Sequence, residues 1–126
     1  MKRVTGIGGV FFKAKEPEKL YQWYEKHLGI KREPHGQGAN LLWKDAVGEG
    51  SPEGSTVWAI FPDSTKYFNP STANFMVNYR VDNMAALLTV LREEGIKIEG
   101  EQNESYGRFA WIMDPEGNRI ELYEPL

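Results

Sequence analysis

Near the C-terminus a single carboxylate, Glu121, stands between the apolar residues Ile120 and Leu122, and an earlier run from Asn74 to Val81 alternates polar and apolar residues in the same way. Successive side chains of a strand point to opposite faces. Asn74, Met76, Asn78 and Arg80 therefore share one face, and Arg119, Glu121 and Tyr123 share another, while Val77, Tyr79, Val81, Ile120 and Leu122 are assigned to helices. A carboxylate on such a face has two uses. Paired with Arg80 as an ion pair, or hydrogen-bonded by Asn78, it is structural. Without a partner it is a general-base candidate. Glu121 is accordingly the candidate catalytic residue, with Met76, Asn78 and Arg80 as candidate ligand-binding neighbours. Alternation alone leaves both a lined cavity and plain solvent exposure open for this face.

The aromatic residues add a second kind of chemistry. Trp43, Trp58, Phe11, Phe61, Phe109, Trp111 and Tyr123 read first as core, and parity turns Phe11, Phe61 and Tyr123 toward the open face, where they and Trp111 are candidates to stack on a flat ligand. Other chemistries find little support. His27 stands near the end of a helical pattern, where the dipole favours it, and His35 lies in a loop; neither has ligand partners in sequence. Gly6-Ile7-Gly8-Gly9 opens no helix and precedes no Lys-Ser/Thr pair, so it reads as strand-start flexibility and not as a phosphate cradle. Absence of cysteine excludes a disulfide framework, a thiolate nucleophile and Cys-based metal sites.

Composition narrows the partners. With 126 residues, 40% hydrophobic and 26% charged, the chain fits one domain. A net charge of -3 offers no basic field for a phosphate backbone, so nucleic acid is not an expected partner. No apolar run reaches membrane-spanning length and no secretory h-region follows the N-terminus, so no membrane partner is expected and the default location is cytoplasmic.

The elements that position these residues come in a repeated order. A strand from Ile7 to Ala14 leads to a helix from Pro17, with Leu20, Trp23, Tyr24, His27 and Leu28 at helical spacing and Gly29 as its C-cap. Strands at 39–44 and 56–61 follow, separated by a Gly/Ser/Pro-rich stretch, and Pro62 to Ala73 reads as a linker. The order then repeats. A strand from Asn74 to Val81 precedes a helix carrying Met84, Leu87, Leu88 and Leu91 and ending at Gly95. A strand near 96–99, a strand from Arg108 to Met113, the turn Asp114-Pro115-Glu116-Gly117-Asn118 and a strand from Arg119 to Tyr123 close the unit. The phrase Leu28-Gly29-Ile30-Lys31 returns as Glu94-Gly95-Ile96-Lys97, 66 positions later. Each unit leaves one sheet face without a helix, and two-fold pairing is a common way to cover such a face, so a homodimer is expected.

Tyr106-Gly107-Arg108-Phe109-Ala110-Trp111-Ile112-Met113-Asp114-Pro115-Glu116-Gly117-Asn118-Arg119-Ile120-Glu121-Leu122 resembles the C-terminal signature of the vicinal-oxygen-chelate superfamily, which includes glyoxalases, bleomycin-resistance proteins and extradiol dioxygenases. Tyr21-Gln22-Trp23-Tyr24-Glu25-Lys26-His27-Leu28-Gly29 resembles the family's first helix. The resemblance implies an α+β fold of two βαβββ modules forming curled mixed sheets around a cavity: one domain over 1–126, with module one at 1–62, a linker at 63–73 and module two at 74–126. It also implies a metal held by four side chains, whose positions fall here on Gly9, near Ala59, and on Met76 and Glu121. Only Glu121 keeps a ligand type, so no metal and no cofactor are expected. The resulting expectation is a metal-independent protein that binds a small aromatic or cationic molecule between its modules. The alternatives are a lyase, isomerase or dioxygenase that uses a divalent metal or Glu121 as base, and a non-catalytic interaction domain.

Overall fold

Residues 2–34, 38–47 and 53–126 are described by the structure, a computed structural model. His35 lies outside them. The chain begins with β1 (Gly6–Ala14) and turns through Glu16 into α1 (Pro17–Leu28), where proline occupies the first helical turn without sacrificing a needed N–H. Gly29 ends α1 in the left-handed conformation at φ 70°, and its N–H reaches the Glu25 carbonyl at 3.1 Å, as a glycine C-cap requires. β2 (Ala39–Leu42), α2 (Trp43–Val47) and β3 (Ser55–Pro62) complete the first half. β4 (Phe75–Arg80), α3 (Met84–Glu93), β5 (Gly100–Glu104), β6 (Gly107–Met113) and β7 (Arg119–Pro125) make the second. α3 is capped by the Asn83 side chain, which accepts from the Ala86 N–H at 3.0 Å.

Among the described residues seven strands join one mixed, curled and unclosed sheet in the order β2-β3-β1-β4-β7-β6-β5. The α+β class with a curled sheet is therefore as expected. Each half contains a parallel pair, β1 with β3 and β4 with β7, and the halves meet where β1 pairs antiparallel with β4. The two halves are thus joined edge to edge within one chain.

Burial divides by strand parity. On one face Val81, Met84, Leu87, Leu88, Ala110 and Leu122 form a core beneath α3, and Phe12 and Trp58 pack against Tyr24 of α1. On the other face Phe11, Ala59, Met76 and Trp111 gather around Phe68. α1 and α3 pack on the opposite face, as the alternation implies, and the chain covers part of this one with its own segment between β3 and β4 and with Trp43 of α2 against Arg80.

Three sequence expectations are corrected. The strand expected at 39–44 stops at Leu42, because Trp43 opens α2 while its indole N–H donates to Thr56 Oγ1 at 2.9 Å. The strand expected near 96–99 forms instead at Gly100–Glu104. A two-residue turn, Ser105-Tyr106, fixes its antiparallel register against β6, and Ile98 is spent on packing against the α3 core. Finally, the segment read as a linker contains Phe68, fully buried, and Ser71, 3% exposed. A linker does not bury a phenylalanine.

The turn of the C-terminal signature is held by one carboxylate. Asp114 accepts from the backbone N–H groups of Glu116 and Asn118, each at 2.9 Å, and from the Asn118 side chain at 2.9 Å. These donors, the backbone N–H of Asn118 first, hold the Asp114 carboxyl below its usual range.

Two outcomes are expected. Phe68→Ala lowers unfolding stability in urea by about 3–5 kcal/mol, as for a buried phenylalanine, whereas a spacer residue gives no measurable loss. Because its folded-state pKa is depressed, Asp114 contributes stability that is fully present above about pH 4 and is lost as pH falls through the lowered value. Melting curves of Asp114→Ala and wild type should therefore converge on the acid side; a gap that stays constant from pH 7 to pH 2 rules this linkage out.

Candidate functional site

Strand register brings the site together. Gly9 of β1, Asn78 of β4, Glu121 of β7 and Trp111 of β6 are successive cross-strand partners, forming one row across the middle of the sheet. The next row holds Ala59, Phe11 and Met76. On the other side of the Glu121 row lie Arg80, Tyr123 and Phe109. Spacing by two residues puts these rows on one face.

Glu121 is 2% exposed, and both its oxygens accept hydrogen bonds. The Asn78 side-chain amide donates to Oε1 at 2.7 Å. The Trp111 indole N–H donates to Oε2 at 2.9 Å, and the Tyr67 hydroxyl donates to the same oxygen at 2.5 Å. Three neutral donors thus point at one carboxylate, and both of its oxygens act as acceptors. Burial first, and the neighbouring carboxylate second, push the Tyr67 phenol far above its ordinary range, so Tyr67 stays a donor.

Tyr67 is held as a ring as well as by its hydroxyl. Its plane stacks on Phe61 at 5.7 Å and an interplanar angle of 5°, and it meets Trp111 edge-on at 6.4 Å. Arg119 lies alongside, with its guanidinium 4.9 Å from the Trp111 ring centroid and 5.9 Å from that of Tyr67, while Nη1 donates to the Tyr67 carbonyl at 2.5 Å. Arg119 Nε is buried without a partner among the described residues.

The row also explains a glycine. A Cβ on Gly8 would stand 2.2 Å from Asn78 Oδ1, at the irregularity where the β1–β4 register shifts between Ile7 and Gly9. Asn78 cannot swing aside without breaking its bond to Glu121. Gly8 thus supplies clearance for Asn78, while a Cβ on Gly6 would meet Trp43 and one on Gly9 would meet Phe11, a stronger role than the flexibility read from sequence.

The residues singled out from sequence separate into two groups. Phe11, Phe61, Met76, Asn78, Trp111 and Glu121 surround Tyr67 and Phe68. Arg80 and Tyr123 belong to the adjoining row: Arg80 lies over the Trp43 ring at 5.4 Å, and Tyr123 stacks on Phe109 at 4.9 Å. Arg80 is not among the hydrogen-bond partners of Glu121; Asn78 is. His27, in the last turn of α1, packs on exposed Trp23 at 4.9 Å, away from this face. Tyr67 and Phe68 escaped the sequence reading because they stand between prolines among Ser, Thr and Asn. An aromatic pair inside such a stretch was the available signal.

The residues present do not fit a metal. Gly9 and Ala59 carry no donor, Met76 offers a fully buried thioether, and the Glu121 oxygens are already taken by protein hydrogens. No three His, Cys, Asp or Glu side chains converge among the described residues.

Comparison with known proteins agrees with this architecture. The family model of the Glyoxalase/Bleomycin resistance protein/Dioxygenase superfamily matches residues 6–122. No curated protein matches the sequence. Among solved structures, methylmalonyl-CoA epimerase from Mycobacterium tuberculosis is 21% identical with a TM-score of 0.60, covering 98% of this chain and 89% of its own. A Streptomyces coelicolor methylmalonyl-CoA epimerase in complex with 2-nitronate-propionyl-CoA is 13% identical with a TM-score of 0.65, covering 97% and 98%. A protein described as NAD-dependent benzaldehyde dehydrogenase from Legionella pneumophila is 15% identical with a TM-score of 0.60, covering 94% and 98%. At these identities the likeness is one of fold.

Glu121→Ala strands the buried donors of Asn78 and Trp111, at about 1–3 kcal/mol each. Glu121→Gln is expected to cost less than Glu121→Ala, because its oxygen still accepts from Tyr67 and Trp111 and its amide can donate to Asn78 Oδ1 once that amide turns over. Equal losses for the two variants in denaturant melts would show that these donors do not depend on position 121.

Proposed function

We propose, from the fact that the chain belongs to the Glyoxalase/Bleomycin resistance protein/Dioxygenase superfamily, that it is a metal-independent member that binds a small aromatic molecule on the face opposite α3 around Glu121. The observation that carries the reading is the Glu121 carboxylate itself. Its two oxygens receive hydrogen bonds from Asn78, Trp111 and Tyr67, in the position where the family resemblance expects a metal ligand. A carboxylate satisfied by three protein donors has little left to give a cation, and the other positions of the set supply none of the hard donors that such ions prefer.

The aromatic character of the ligand follows from the surroundings. Phe61 presents a ring face, Trp111 stands at right angles to the Tyr67 ring, and Phe11 and Met76 pack in the same cluster. Of the two ligand classes expected from sequence, the aromatic one has more support than the cationic one, since Glu121 is 2% exposed and both its oxygens are already engaged. A lyase or isomerase with Glu121 as base would first have to lift Tyr67 away.

The test has two arms. After incubation with micromolar Zn(II), Mn(II), Ni(II) or Fe(II) and gel filtration, elemental analysis is expected to find no stoichiometric metal. Flat aromatic compounds are expected to quench tryptophan fluorescence saturably, with weaker binding by Phe61→Ala. One metal per chain, lost in Glu121→Ala, would overturn metal independence, and quenching that is linear and unaffected by Phe61→Ala would overturn the aromatic site.

A further inference from the structure

We infer that the Tyr67 side chain is an internal ligand, occupying the place of a small phenol, and that an aromatic molecule bearing a hydroxyl group binds here by displacing it. The inference rests on the proposed function and deepens it by naming the ligand class and what guards the site.

The argument starts from what Tyr67 touches. Its ring lies flat on Phe61 and edge-on to Trp111, and its hydroxyl ends on Glu121 Oε2. These are the contacts a free phenol would need. Removing the ring leaves the receptor intact, because Glu121 still receives Asn78 on Oε1 and Trp111 on Oε2. The carboxylate therefore stays aimed at the place the hydroxyl vacates, and the missing partner must be a donor, since Oε2 accepts there.

Departure of Tyr67 does not require unfolding the segment that carries it. Phe68, its neighbour, is fully buried against Phe61 and anchors that segment, whereas Tyr67 is 39% exposed. Rotation of one side chain toward solvent opens the site while Phe68 stays in place. Arg119 bonds the Tyr67 carbonyl, not the phenol, so the backbone grip survives as well.

Hydrogen bonding sets the selectivity. A phenol satisfies Glu121. Toluene fills the same volume and leaves Oε2 with the Trp111 N–H alone, and benzoate brings a second carboxylate in place of a donor. Among small aromatics the site is thus selective for neutral hydroxyl-bearing rings.

Binding of phenol, toluene and benzoate to wild type, Tyr67→Phe and Tyr67→Ala is measured by calorimetry and by the indole N–H signal of Trp111 in NMR, assigned through Trp111→Phe. Phenol affinity is expected to rise from wild type through Tyr67→Phe to Tyr67→Ala, by about tenfold or more in total, because each variant competes less well for the same carboxylate. In Tyr67→Ala, toluene and benzoate are expected to bind at least about tenfold more weakly than phenol, and phenol alone to move the Trp111 signal. Equal phenol affinity in all three proteins, or toluene matching phenol, overturns the inference. If Tyr67→Ala does not fold, the comparison of Tyr67→Phe with wild type decides by the same criterion. A flat phenol series in proteins that still bind larger aromatics sinks the displacement and leaves the broader reading standing, while no aromatic binding by any folded variant sinks both.

Discussion

Much of this molecule depends on keeping one carboxyl side chain buried in the middle of a sheet. A polar group moved out of water must find hydrogen-bond partners inside the protein, or its burial costs free energy. Glu121 has its partners because four chain segments converge on it: β7 supplies the acid, β4 the Asn78 amide, β6 the Trp111 indole and the segment after β3 the Tyr67 hydroxyl. Each donor is directional, so together they fix the register of three strands and the path of the connecting segment. Even the identity of Gly8, two strands away, follows from room needed by Asn78.

The site is organised from within the protein. A divalent ion would gather side chains by pulling several donors inward, whereas here one carboxyl side chain gathers N–H and O–H groups. Met76 and Phe11, fully and nearly buried in the neighbouring row, fill the volume with apolar atoms. Apolar filling lowers the local dielectric and strengthens each hydrogen bond to Glu121.

Both main helices, the split of faces by parity and the position of Glu121 on the face opposite α3 were all legible in sequence, because each is a local or periodic property. Period two correctly placed Val81 and Leu122 beneath α3 and Phe11 and Asn78 opposite them. What stayed hidden was tertiary. Nothing in the alternation distinguishes Asn78 from Arg80 as the partner of Glu121; that is decided by which residue shares its cross-strand row. Tyr67 and Phe68 sit in a stretch with no period at all, and their roles come from where a non-repeating segment crosses the sheet. β5 shifted from its expected place because a hairpin turn outranked the local pattern.

The order of strands gives the sheet two ends, since it does not close on itself. At one of them runs β5, with the sequence Gly100-Glu101-Gln102-Asn103-Glu104. A foreign strand that docked there would find backbone groups to pair with but no apolar side chain to cover, and it would bring its own atoms against two carboxylates. Exposed sheet edges are templates for uncontrolled growth into aggregates, and charge is one of the usual safeguards. β5 thus protects the chain from polymerising along its own sheet, and a neutral, β-branched version of those five residues would remove that protection while leaving the site around Glu121 untouched.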